Sequence, residues 1–216
     1  MKDRTIAIAL AALLSAPSFL RAQSDLEPVR GQRGMVATSN ELATRIGVDI
    51  LKNGGNAVDA AVAVGFALAV THPTAGNIGG GGFMLVRMDD GRNAAIDYRE
   101  AAPAAATRDM YVNEAGEVIP RLSTIGHRAV GVPGTVAGLA LALEKFGSMS
   151  WPEVVEPARR IASEGFAVSQ ALAEDLREVS VLAQFPESRR IFLNDGNYFA
   201  EGDRLQQPEL AETLAR

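Results

Sequence analysis

Arg99, in the segment DYRE (Asp97–Glu100), is the residue whose type and setting point most directly to chemistry. A guanidinium is a planar, permanently charged fork that matches a carboxylate with two parallel hydrogen bonds. Its setting is a run of four glycines, Gly79–Gly82, inside GNIGGGGFML. Glycine loses more backbone entropy on folding than any other residue, so four in succession imply that something must approach the backbone closely. The runs FMLVRMDD and RNAAIDYRE, broken at Asp90-Gly91, read as a β-hairpin. A two-residue turn there pairs Asp89 with Arg92, Leu85 with Ile96, Phe83 with Tyr98 and Gly82 with Arg99. In that register Asp97 and Arg99 share a face, and the guanidinium lies over a stretch without Cβ atoms. The expectation is a backbone-lined hollow beside a fixed cation, a pocket that reads a carboxylate. The same spacing also fits a surface arginine paired with Asp97 or Glu100.

Other chemistries fit less well. A P-loop needs a strand, then glycines ending in Lys-Ser/Thr, then a helix. Here the order is helix, glycines, strand, and no lysine follows; a dinucleotide-binding turn fails on the same order. GVPGTVAGL (Gly131–Leu139) opens a helix, and its N–H groups suit either an anion or a tight loop for close helix packing. The chain has no cysteine, which excludes thiolate metal sites and cysteine catalysis. Its two histidines, His72 and His127, stand apart and form no ligand pair, so neither a metal nor a cofactor is expected. No Gly-x-Ser-x-Gly elbow is present. The residues offer a binding group and no nucleophile.

The elements that must position Arg99 follow from periodicity. GMVATSN (Gly34–Asn40) reads as a short strand ending at a helix cap on Ser39 or Asn40. ELATRIGVDILK repeats apolar residues at helical spacing and stops at Asn53-Gly54-Gly55. Asn56–Pro73 is apolar on nearly all sides, which predicts a helix buried all round. Asp59 in its first turn suits the helix dipole, and Gly65 permits a close neighbour. His72 sits at this helix's end. Further helices are expected over Thr135–Phe146, Pro152–Glu164 and Gln170–Ala183, and from Pro208 onward. FLNDGNYFAEGDRLQQP reads as a small hairpin. This is an α+β layering.

At 47% hydrophobic and 22% charged residues the composition is globular rather than disordered. The net charge of −5, with no Lys/Arg-rich stretch, argues against a nucleic-acid partner. Residues 1–22 carry a short basic start, an apolar run too short to span a bilayer and a cut after Ala22. That pattern reads as a secretory signal peptide, with a buried N-terminal helix as the competing reading. Residues 23–216 are then an incomplete domain of a periplasmic or secreted protein. No later apolar run is long enough to predict a membrane span. ELAETLAR at the end is a helical pattern with no terminator, which reads as the front of a longer protein.

The stretch from GMVATSNELATRIGVDILKNGG through DYREAAPAAATRDMY, with GVPGTVAGLALALEKFG and WPEVVEPARRIASEGFAVS beyond it, closely resembles the N-terminal part of bacterial γ-glutamyltranspeptidases. The resemblance runs from about Gly31 to the end. It implies part of a four-layer αββα sandwich, the N-terminal-nucleophile hydrolase fold. It also implies a precursor that cuts itself into large and small subunits. The new N-terminal Thr of the small subunit, with its own α-amine as base, attacks a γ-glutamyl amide, typically glutathione. The acyl group then passes to water or to an amino acid or peptide. The family's Tyr/Phe-Arg-Glu arginine, which grips the substrate α-carboxylate, matches Arg99. The nucleophile's Thr-Thr-His-type motif is missing. Thr124, in STIGHR, has a histidine three residues on, at the wrong spacing. No catalytic residue is therefore expected in this chain, which would need the small subunit as partner. Two other readings stay open: a cephalosporin or glutaryl acylase of the same superfamily, and a non-catalytic periplasmic binding module.

Overall fold

The computed structural model describes residues 29–75, 77–194 and 196–216. The leader expected over residues 1–22 lies outside the described residues. All that follows concerns the unit Arg33–Arg216.

Helix α1 spans Glu41–Lys52 and α2 spans Ala57–Thr71. Strands β1 (Phe83–Arg87) and β2 (Asn93–Asp97) form an antiparallel hairpin. Then come α3 (Thr135–Phe146), α4 (Trp151–Glu164), β3 (Phe166–Ala167), α5 (Gln170–Glu178), α6 (Pro186–Phe192), β4 (Arg204–Leu205) and α7 (Pro208–Leu214). The α+β class expected from the sequence is borne out.

Helix α2 is the centre of the core, as its all-round apolar pattern predicts. Val62, Ala63, Ala67 and Val70 are wholly buried and Phe66 nearly so. It packs against α1, α3 and α4. The α3 contact is close because Gly65 has no side chain: a Cβ there would lie 2.9 Å from Leu139 Cδ1. On the α4 side, Phe66 meets Trp151 edge to face, with ring centroids 5.3 Å apart. Burying a side chain of this size contributes about 2–3 kcal/mol.

Asp59 does more than complement a helix dipole. It is wholly buried, and Asn56 and Asp59 cap the helix reciprocally, the Asn56 N–H donating to Asp59 Oδ2 at 2.7 Å. The same carboxylate accepts the Ser148 hydroxyl at 2.6 Å and the Ser148 and Met149 N–H groups at 2.9 and 3.1 Å. Asn56 Nδ2 donates to the Phe146 carbonyl at 2.7 Å. One helix start thus fastens the turn between α3 and α4. Burial raises the Asp59 pKa. The bonds from the Ser148 hydroxyl and the Asn56, Met149 and Ser148 amides outweigh it and hold the carboxyl below the ordinary 3.8.

Three expectations are corrected. Residues 34–38 form no strand, although Asn40 caps α1 as expected, its side chain accepting the Ala43 N–H. The helix from Gln170 ends at Glu178 and gives way to a 3-10 turn at Ser180–Gln184 and then α6, started by Pro186. Among the described residues, the segment after Phe192 closes on itself only through a single antiparallel bridge, Asn194–Asn197, and its strand β4 pairs with the distant β3. A pairing only two residues long, joined across most of forty residues, leaves no local pattern to read.

Candidate functional site

The hairpin register differs by one residue from the expected one. Leu85 faces Ala95 and Phe83 faces Asp97. The ladder continues past the strand ends, with Tyr98 N–H donating to the Gly82 carbonyl at 2.9 Å and Gly82 N–H to the Tyr98 carbonyl at 3.3 Å. Gly82 is therefore opposite Tyr98, which leaves Gly81 opposite Arg99. The cause is a three-residue connection, Asp89-Asp90-Gly91, closed by Met88 N–H to the Arg92 carbonyl and Gly91 N–H to the Met88 carbonyl. Gly91 has φ +87°, the left-handed position that such loops require. Asp90 selects this loop: its carboxylate accepts the Arg92 N–H at 2.9 Å and Arg92 Nε at 2.7 Å, bonds that hold its pKa low. A one-residue slip exchanges the two faces of a strand. Val86 and Ile96 consequently point into the core, while Leu85 is 85% exposed.

The hollow expected beside the glycines is filled, and what fills it accounts for the last two of the four, Gly81 and Gly82. A Cβ on Gly81 would sit 2.5 Å from the Tyr98 carbonyl oxygen, and one on Gly82 would be 3.1 Å from the Tyr98 ring. Helix α3 presses on the same strand from its other side. Cβ atoms on Gly134 and Gly138 would lie 2.1 Å from the Tyr98 carbonyl oxygen and 2.3 Å from its ring. Tyr98 is clamped between the glycine run and α3, and burial raises its pKa. The Gly80 carbonyl accepts the Gly134 and Thr135 N–H groups at 2.9 and 3.1 Å. Those amides at the start of α3 are engaged by the chain itself, so GVPGTVAGL is the tight packing loop and not an anion site. The spacing Gly131-x-x-Gly134-x-x-x-Gly138 is the signal for this clamp in the sequence.

Arg99 emerges from the clamp onto the surface. Its side chain is 63% exposed, and Nε donates to Glu100 Oε2 at 3.2 Å. Asp97 holds the backbone instead, its Oδ1 accepting the Arg99 N–H at 3.0 Å. The guanidinium carbon lies 5.9 Å from the centre of the Phe83 ring, over its face. Among the described residues no hydrogen bond engages the two terminal amino groups. The arrangement is a cation two residues past the end of β2, tethered through Nε, with its forked end open. That end can take a carboxylate, but the partner wall of a pocket is not supplied here.

His72 caps the end of α2 through its backbone, its N–H donating to the Leu68 carbonyl. His127 begins a 3-10 turn in the long loop between β2 and α3. Thr124 donates its hydroxyl to the Arg121 carbonyl within that loop. None of the three is brought to Arg99. Among the described residues no group of three His, Cys, Asp or Glu could hold a metal ion, and no helix is long and apolar enough to cross a membrane.

Comparison with known proteins assigns the family. Residues 43–216 match the family model described as gamma-glutamyltranspeptidase. The chain is similar to a glutathione hydrolase proenzyme of Escherichia coli K12, 50% identical over 96% of this chain and 38% of that protein. Among solved structures it is similar to the gamma-glutamyltranspeptidase of Helicobacter pylori, with TM-score 0.85 and 44% identity over 87% of this chain and 55% of that one. It is also similar to the gamma-glutamyltranspeptidase of Pseudomonas nitroreducens complexed with L-DON, with TM-score 0.79 and 46% identity over 87% and 55%. The chain spans less than two-fifths of the length of the E. coli relative. The fold is that of the N-terminal-nucleophile hydrolases, to which this chain contributes a helical layer and the hairpin it covers. With 174 of its residues inside the family model, the chain belongs to the gamma-glutamyltranspeptidase family.

Proposed function

We propose that this chain is the front of the large subunit of a secreted γ-glutamyltransferase and glutathione hydrolase, and that Arg99 anchors the α-carboxylate of the γ-glutamyl donor. The observation that carries this reading is the family match, which contains the Tyr98-Arg99-Glu100 segment. The geometry is compatible with it: the forked end of Arg99 is open, and the strand that bears it is fixed by glycine contacts on both sides. The nucleophile is a threonine outside this chain, at the start of a small subunit produced from the same precursor. Its hydroxyl attacks the γ-carbonyl, the amide nitrogen leaves, and water or an amino acid takes the acyl group. This chain binds and orients the donor and contains no group that performs those steps.

In this reading the small subunit docks on the hairpin. The outward face of the hairpin exposes Phe83 and Leu85 at 64% and 85%, the pattern of a sheet face that awaits a second layer. Residues 1–22 would direct the protein to the periplasm or the medium, and a mass spectrum of exported protein beginning at Gln23 would support that. The acylase and binding-module readings are favoured by no observation on this chain. The direct test is Arg99→Ala in the whole proenzyme. The donor KM should rise by the equivalent of roughly 2–4 kcal/mol, if the assembled site is desolvated. An unchanged donor KM would remove Arg99 from the binding site.

A further inference from the structure

We propose that Phe83 is a positioning residue for Arg99: its ring is the platform that fixes the plane of the guanidinium. This rests on the reading of Arg99 as the donor anchor. Phe83 pairs with Asp97, so Phe83, Asp97 and Arg99 project from the same face of the hairpin. The residue directly opposite Arg99 is Gly81, where a Cβ would strike the Tyr98–Glu100 backbone. No side chain can stand there. The nearest cross-strand neighbour on that face is the diagonal one, Phe83, and diagonal pairs lie within reach of long and aromatic side chains. The ring occupies that space, with the Arg99 guanidinium carbon over its face at 5.9 Å. Attraction between a cation and the negative face of the ring sets the tilt of the plane. Glu100 holds Nε. One edge and one face of the guanidinium are then occupied, and the two terminal amino groups are left as the end that meets a carboxylate.

Phe83 is 64% exposed and lies outside the core of this chain, so packing within the chain does not account for an aromatic there. Arg92 provides a contrast within the same hairpin. It also lies over a ring, Phe146 at 5.9 Å, and its Nε is also paired, with Asp90. Its partners build the connecting loop and the flank of α3, whereas those of Arg99 stand on the open face.

The test uses the whole, processed enzyme and a γ-glutamyl anilide as donor. Phe83→Leu keeps an apolar residue of similar size and removes the ring. The donor KM should rise about three- to tenfold while kcat stays within about twofold, and Phe83→Tyr should restore the parent KM. Combining Phe83→Leu with Arg99→Ala should add nothing to the KM of Arg99→Ala alone. A residue with only a structural role would instead raise KM by the same factor in both backgrounds and lower the melting temperature. If Arg99→Ala raises KM but Phe83→Leu does not, the platform is wrong and the anchor stands. If Arg99→Ala leaves KM unchanged, the anchor is wrong and the platform falls with it.

Discussion

Asp59 and Arg99 are both charged residues held by short-range partners, and the fold treats them in opposite ways. Asp59 is wholly buried and accepts four hydrogen bonds from its own chain. Arg99 has one side-chain hydrogen-bond partner, lies over the Phe83 ring and is 63% exposed. A carboxylate whose oxygens are all engaged internally has no capacity for a ligand; it joins the start of α2 to the turn before α4. A guanidinium whose only side-chain hydrogen bond is through Nε keeps its forked end for something else. The difference lies in the number of donors or acceptors that the fold leaves open rather than in the charge.

The largest expected effect breaks the Asp59 side of this comparison. Asp59→Ala strands the N–H groups of Asn56, Ser148 and Met149 and the Ser148 hydroxyl, and should cost about 3–5 kcal/mol in chemical denaturation of the whole protein. Material that does fold should keep the parent donor KM, since the partners of Asp59 are Asn56, Ser148 and Met149 and not the residues around Arg99. Loss of donor binding with stability intact would contradict the assignment.

The clamp links the two regions and should show an intermediate effect on both readouts. Gly138→Ala places a Cβ 2.3 Å from the Tyr98 ring, an overpacking that costs roughly 1–3 kcal/mol. Because Tyr98 precedes Arg99, the donor KM should rise alongside the loss of stability. Gly202→Ala is a useful control, since its φ of +87° gives backbone strain with nothing within 4 Å of a Cβ. It should destabilise without moving KM.

The smallest effect is a pH dependence. The folded pKa of Asp59 lies below the ordinary 3.8, so its contribution to stability is complete well above that value. It is lost as pH falls below 3.8 through the lowered folded value. Asp59→Asn should flatten the stability-versus-pH curve in that acid window and leave its shape near neutrality unchanged. A variant curve parallel to the parent's throughout would show that the carboxylate carries no such linkage.

Much of the architecture was legible in the sequence because it is local. The all-round apolar pattern of α2, the bounds of α3 and the Asn40 cap depend on neighbours within a few residues. The hairpin was legible as a hairpin, but its register was not. The choice between two-residue and three-residue loops turned on two bonds from the Asp90 side chain to Arg92, and that choice moved every facing pair by one. The role of Asp59 needed contacts with residues almost ninety positions away, although the Asn56-x-x-Asp59 spacing of a reciprocal cap was visible. At the site, type and position singled out Arg99, while its surroundings were misread. Gly81 and Gly82 make room for Tyr98, and Gly134 and Gly138 let α3 approach it.

The central claim is that the open end of Arg99 receives the donor's α-carboxylate. The most direct measurement compares two donors, a γ-glutamyl anilide and its analogue lacking only the α-carboxylate, on the whole parent enzyme and on Arg99→Ala. The parent should prefer the complete donor strongly in kcat/KM, and the variant should lose most of that preference by handling the complete donor poorly. A variant that discriminates between the two donors as well as the parent does would contradict the account.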